Sequence, residues 1–342
     1  MFTSFKSTFK ILPSLALLMF LLSTSLYVSA KPLNSDTVLV QSMPLQHDTI
    51  TSTTAKRIIN RDFNAIYLQN LKPSFFGQEF FQPIKTQLVG DVVANFVVFD
   101  SPKSRLFINA FTRIKIRLLS AQGAPVKSPS YMPGIIVFYR LNHDIFNPKF
   151  LSGGYTHHSN GIRGSTLYPD GNFNVDSGKF ATNFISLNYT CGKRKDYNDY
   201  TTNLFNTIGV ELHTGLFSTK GTAVGLPGRY GFFRINGTSM FNIAKKYPDA
   251  IRTDKFVFNN WQRLQFDFTY IADSYQNYNV WNLKKRLNVS LKYYYNLPFL
   301  HDMAIMAGGG YRGQDDYNIY FQNSYGYAMI GLSSGLSFLV SR

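Results

Sequence analysis

From about Pro83 to the C-terminus, apolar and polar residues alternate with a period of two in run after run. The clearest run, Arg263-Leu264-Gln265-Phe266-Asp267-Phe268-Thr269-Tyr270, sets four apolar residues against four polar ones; Leu287 to Tyr293 and Ile208 to His213 do the same. Alternate residues of an extended chain face the same side, so each run predicts a strand with one apolar and one hydrophilic face. About twelve such runs succeed one another, with the weakest pattern around Phe232 to Ile235 and Ala304 to Ala307. The hydrophilic face is often charged, as where Arg113, Lys115 and Arg117 interleave with Ile114, Ile116 and Leu118. A soluble sandwich would have to absorb such charges in strand after strand. A ring of strands with its apolar faces toward lipid keeps them inside, and lipid forces closure because an open edge leaves backbone groups unpaired. The pattern therefore predicts an all-β fold, a transmembrane antiparallel β-barrel of about 12 strands.

The ends of the chain divide differently. Residues 1–30 carry Lys6 and Lys10, an apolar run from about Ile11 to Leu26, and then Val28-Ser29-Ala30, the layout of a cleaved signal peptide. Residues 31–82 are polar with weak periodicity and are assigned to an N-terminal extension, leaving 83–342 as the barrel domain. No later stretch approaches the roughly 20 consecutive apolar residues of a membrane helix. In such a barrel short turns lie on the periplasmic side and longer loops outside. Tyr295 to Leu300 reads as a short turn and the Gly-, Ser- and Asn-rich stretch from Gly161 to Phe180 as a long outer loop.

Composition sharpens this picture. Aromatic residues make up 16% of the chain, with 22 Tyr and 31 Phe, as the aromatic girdles of a membrane barrel would supply. The formal net charge of +16 is dispersed along candidate strands, which argues for an anionic lipid surface and against nucleic acid. Cys191 is the single cysteine, so no intramolecular disulfide is available, and no Cys/His spacing reads as a zinc site. His213, on the polar parity beside Glu211, reads as a lumen residue.

The candidate chemistry sits in Tyr155-Thr156-His157-His158-Ser159-Asn160-Gly161. Tyr155, His157 and Ser159 share one strand face. Ala181 to Thr190 alternates as well, with Asn183 in register with the apolar Ile185, Leu187 and Tyr189. If the two runs pair as a hairpin, a hydroxyl, an imidazole and a carboxamide meet on the apolar side of a sheet, where polar groups cost free energy. These are the residue types of a nucleophile, its base and a group that orients the base.

His157-His158-Ser159-Asn160-Gly161 resembles the H-x-S-N-G motif of the outer-membrane phospholipase A family. Tyr131-Met132-Pro133 is similar to the Y-x-P opening that family's preceding strand, and Gly310 to Asn318 is similar to its later stretch ending in D-Y-N. The resemblance implies a twelve-stranded barrel with catalytic Ser159, His157 and Asn183 on its outer wall. It implies a calcium-dependent enzyme, active as a homodimer in the outer membrane, that cleaves the sn-1 and sn-2 acyl esters of phospholipids and lysophospholipids. It also implies Ca2+ ligands: the carbonyl of Ile162, a loop serine for which Ser177 and Ser165 are candidates with Asp176 nearby, and Ser128 donated from the other protomer. The chain departs from the family where Ile162 precedes Arg163, at His158, in its long N-terminal extension, and at its end, Phe338 to Arg342. Two other readings compete. A small lipopolysaccharide deacylase barrel uses a glutamate as its third member, and no Glu occurs between Phe81 and Thr207. A non-enzymatic porin would carry the motif by coincidence.

Overall fold

The computed structural model describes residues 73–339 except 101–103, 124, 145, 198–199, 215–224, 246–260, 298–302 and 335. The expected signal peptide, most of the N-terminal extension and part of the Tyr295 to Leu300 turn lie outside the described residues.

Twelve antiparallel strands close into a barrel: β1 (Ser74–Phe80), β2 (Thr86–Asp100), β3 (Leu106–Leu119), β4 (Ser130–Arg140), β5 (Lys149–Ser159), β6 (Ala181–Asp196), β7 (Tyr200–His213), β8 (Phe233–Lys245), β9 (Trp261–Ile271), β10 (Leu287–Asn296), β11 (Met303–Arg312) and β12 (Tyr325–Ser334). Neighbours in sequence pair from β2 to β12, and β1 closes the ring against both β12 and β2. On β2 it covers only Val89 to Asp91; a last strand, β13 (Leu336–Leu339), takes Ala94 to Val97 of the same edge in parallel. The only helix among the described residues is the single turn α1 (Leu283–Arg286).

The first strand corrects the expected domain boundary, because β1 lies inside the stretch 31–82 assigned to the extension. Its sequence hides the period. Phe75 faces inward, packed against Val89, Tyr294, Ala304 and Met306, while the adjacent Phe76 faces out. Two neighbouring apolar residues on opposite faces erase the alternation that marks the other strands.

The wall has the predicted two faces. Ile208, Leu187, Ile330 and Leu264 are 53%, 51%, 51% and 45% exposed on the outside, whereas Arg117 and Glu79 are 1% and 3% exposed within. Inside, Glu79 accepts hydrogen bonds from Arg117 (3.3 Å) and Arg312 (2.5 and 3.1 Å), and Arg117 reaches Asp315 at 3.0 Å. Lys115 is paired to Asp316 and Arg113 to Asp91. A cavity of about 470 Å³ runs among these groups and is also lined by His158, Glu211, His213, Asp267 and Lys292. His213 meets Glu211 at 2.6 Å there, on the lumen side as expected.

Ser159 ends its strand at the rim from which the connections 120–129, 160–180, 214–232, 272–286 and 313–324 emerge. Three of these share a small apolar core of Phe180, Leu226, Tyr230 and Phe321 over the barrel mouth. Rings meet at its lower edge, His158 tilted against Phe180 (4.8 Å, 57°) and His213 edge-to-face with Tyr230 (5.2 Å, 85°).

Candidate active site

β5 and β6 pair in the register that the sequence pattern predicts, with His157 directly opposite Asn183 and Ser159 opposite Ala181. Inward residues of β5 are buried (Thr156, His158), and His158 lines the lumen. Tyr155, His157 and Ser159 take the other face, among Tyr131, Leu187 and Tyr189 of the outer wall. His157, Ser159 and Asn183 thus share the outward register of the β5–β6 pair.

His157 Nδ1 lies 2.7 Å from Asn183 Oδ1. A carboxamide oxygen only accepts, so the bond places the proton on Nδ1 and leaves Nε2 with its lone pair. Asn183 is itself 2% exposed, and its backbone carbonyl accepts from Thr214 N at 2.8 Å. Its backbone is thereby tied down near the start of β6, and its side-chain oxygen holds the imidazole in one tautomer and one orientation. His157 and Ser159 are half-buried, and no hydrogen bond joins them among the described residues. As i and i+2 of one strand face their Cα atoms are spaced by about 6.5 Å, within reach of a hydrogen bond between side chains.

Asn160, which the strand pattern does not single out, organises the chain beyond Ser159. It is 2% exposed. Its Nδ2 donates to Ser128 Oγ (3.0 Å) and to the Gly178 carbonyl (2.8 Å). Its Oδ1 accepts from the backbone N–H of Ile162 (3.2 Å) and of Phe180 (2.9 Å). Both ends of the 160–180 loop are tied to this one amide. Gly161 then turns with φ +70°, a left-handed conformation that suits glycine, and a side chain there would meet the Tyr131 ring. The sequence signal for Asn160 is its place between Ser159 and a turn glycine; its bonds depend on two loops closing over it.

The residues implied as calcium ligands are scattered through this loop layer. Ser128 is 3% exposed, donates to Asn318 Oδ1 at 2.6 Å and accepts from Asn160. Asn318 continues to the Pro129 carbonyl (2.8 Å) and Ser130 Oγ (3.1 Å), so the network ties connections 120–129 and 313–324 to the end of β5. Ser177 Oγ accepts from Asn174 Nδ2 at 3.1 Å, and Ser165 Oγ donates to the Leu167 carbonyl at 2.7 Å. Asp176 takes hydrogen bonds from Tyr168 (2.7 Å) and Lys127 (3.1 Å), which hold its carboxyl below the ordinary range. No donor reaches the Ile162 carbonyl among the described residues. Nor does a group of three or more His, Cys, Asp or Glu side chains with metal-binding geometry occur among them.

No protein-family model matches the sequence, and no curated protein does. Solved structures similar in fold include outer membrane phospholipase A from Escherichia coli, at 11% identity and a TM-score of 0.47, covering 77% of this chain and 96% of that one. The calcium-bound dimer of Salmonella typhi outer membrane phospholipase is similar at 11% identity and a TM-score of 0.48, covering 77% and 90%.

Proposed function

We propose that this barrel is an outer-membrane phospholipase A in which Ser159 is the nucleophile, His157 the general base and Asn183 the group that orients it. The observation that carries the reading is the 2.7 Å His157–Asn183 hydrogen bond on the lipid-facing side of the β5–β6 pair, one strand period from Ser159. Polar groups are costly on such a face, and this set is mutually arranged for acyl transfer.

The chemistry comes from the parts. Ser159 Oγ attacks the acyl carbonyl of a phospholipid while His157 Nε2 takes the hydroxyl proton. The same imidazolium returns that proton to the departing lysophospholipid oxygen. Water, deprotonated by His157, then attacks the acyl-serine, and the imidazolium gives that proton to Ser159 Oγ as the fatty acid leaves. A neutral Asn183 orients the ring but stabilises the imidazolium less than a carboxylate would.

Calcium dependence belongs to the same proposal. The loop donors are oxygens, the chemistry calcium prefers, and the Ile162 carbonyl and Ser177 hydroxyl retain accepting capacity. Bound there, the ion would polarise the ester carbonyl and stabilise developing negative charge. Ser128, bonded to Asn160 and Asn318 and 3% exposed, keeps one lone pair but would have to come to the surface to serve as a ligand for the other protomer of a homodimer. Calcium titration of Ser128→Ala and Ser177→Ala decides the two assignments: a ligand's loss weakens calcium activation, whereas a purely structural loss leaves the calcium midpoint in place.

The deciding experiment measures fatty-acid release from detergent-dispersed phospholipid, with and without EDTA, for the wild-type barrel and Ser159→Ala. Release that stops on EDTA addition and is absent from Ser159→Ala supports the reading. Equal release from both proteins removes Ser159 as nucleophile. Ion conductance with no ester hydrolysis in either protein points to a pore instead.

A further inference from the structure

The connection between β9 and β10 lies apart from His157 and Ser159 and is held by a dense set of hydrogen bonds. Arg286, 2% exposed, spends its guanidinium on the loop's own backbone. Nε donates to the Asn279 carbonyl (3.0 Å), Nη1 to those of Ile271 (2.8 Å) and Asp273 (2.7 Å), and Nη2 to that of Tyr278 (2.5 Å). Two further ties come from the barrel wall: Tyr270 OH donates to the Val280 carbonyl at 2.5 Å and Tyr311 OH to the Lys284 carbonyl at 2.7 Å. Tyr270 and Tyr311 stand on the outward parity of β9 and β11, in register with Leu264 and Ile305 of the apolar exterior. The loop is therefore bent over the rim and held against the outside of the wall.

This framework presents an apolar and cationic surface. Trp281 is 84% exposed, Val280 50% and Leu283 41%; an exposed Lys284 comes immediately after, then a half-buried Lys285 whose Nζ donates to the Gln322 carbonyl (3.3 Å) over the Tyr278 ring and keeps further donors for an anion. The one acidic residue of the loop, Asp273, is turned away to accept from the Phe232 backbone N–H at 2.7 Å. An exposed tryptophan with aliphatic neighbours and lysines, on a rigid support at the upper edge of a lipid-facing wall, matches the depth at which headgroups meet acyl chains.

We propose that residues 280–285 form an interfacial anchor: Trp281, with Val280 and Leu283, enters the headgroup layer of an anionic lipid surface, and Lys284 and Lys285 engage its phosphates. Continuity with the exterior wall and the sign of the charge select lipid over a second copy of the chain, whose matching patch would carry the same lysines. The anchor lies four strand positions from β5 and does not depend on Ser159 or His157.

The chain holds two tryptophans, Trp261 and Trp281, so Trp261→Phe leaves Trp281 as the sole reporter. The full barrel is refolded into phosphatidylcholine vesicles with and without phosphatidylglycerol, folding being checked by heat-sensitive gel migration. Lipids brominated near the headgroup should quench Trp281, with quenching roughly twofold stronger on the anionic vesicles. Lys284→Gln/Lys285→Gln should abolish that difference. If Trp261→Phe fails to fold, the difference between wild type and Trp281→Phe supplies the same signal. Emission at the wavelength of free indole in water, fully open to acrylamide and untouched by brominated lipid, overturns the proposal. So does emission that depends on the protein-to-lipid ratio, which identifies a second barrel as the occupant.

Discussion

At the scale of single residues, the site divides into groups that act and groups that hold. Asn183 holds: it restrains His157 in one tautomer, so Asn183→Ala should lower kcat by about 10- to 100-fold with KM little changed, because misorientation alone costs about that much. Steady-state kinetics on dispersed phospholipid check this, and Asn183→Asp should recover part of the loss by supplying an acceptor of the same shape. Asn160 holds backbone. Asn160→Ala leaves the Ile162 and Phe180 amides and the Gly178 carbonyl without this partner, which should cost about 1–3 kcal/mol in denaturant unfolding. The register shared by the proposed nucleophile, base and orienting group was legible from parity, since His157, Ser159 and Asn183 fall on the apolar parity of their strands. Asn160 was not, because all but one of its side-chain bonds run to residues 18 to 32 positions away that only loop closure brings near.

At the scale of elements, hairpin register decides function. A one-residue slip of β6 against β5 would turn Asn183 into the lumen and bring Thr182, which now bonds His213 at 3.0 Å, to the outer face. The outer loops are joined by exposed contacts as well, among them Lys127 with Asp176. Tyr168 and Lys127 hold that carboxyl low, so the tie is complete above the ordinary carboxylate pKa and is lost as pH falls through the depressed value. Protease nicking of the 160–180 loop should therefore rise only in strong acid, and Asp176→Asn should remove the pH dependence. The alternating strands were readable one by one. β1 was not, because Phe75 and Phe76 each satisfy a different face of the wall.

At the scale of the whole molecule, closure rests on one short seam. Gly77 of β1 sits opposite Gly331 of β12, and a Cβ on Gly77 would come within 2.2 Å of the Ile330 carbonyl oxygen. Gly77→Val should prevent the barrel from reaching its heat-sensitive, compact gel form. Behind the seam, Glu79 bridges Arg117 and Arg312, which also pair with Asp315 and Asp316. Glu79→Ala leaves Arg117 with Asp315 and Arg312 with Asp316 but removes the hydrogen bonds both make to Glu79, and should cost about 1–3 kcal/mol, read as a lower unfolding midpoint in detergent. Two-residue periodicity, a local property, was enough to determine strand after strand, the facing of charge toward the lumen, and the face on which the candidate nucleophile and base lie. Tertiary structure decided where the ring closes, which amide ties the loops to the end of β5, and that the β9–β10 loop folds back over the rim. Those features depend on contacts between residues far apart in the chain, and no local pattern encodes such a contact until the barrel has brought its partners together.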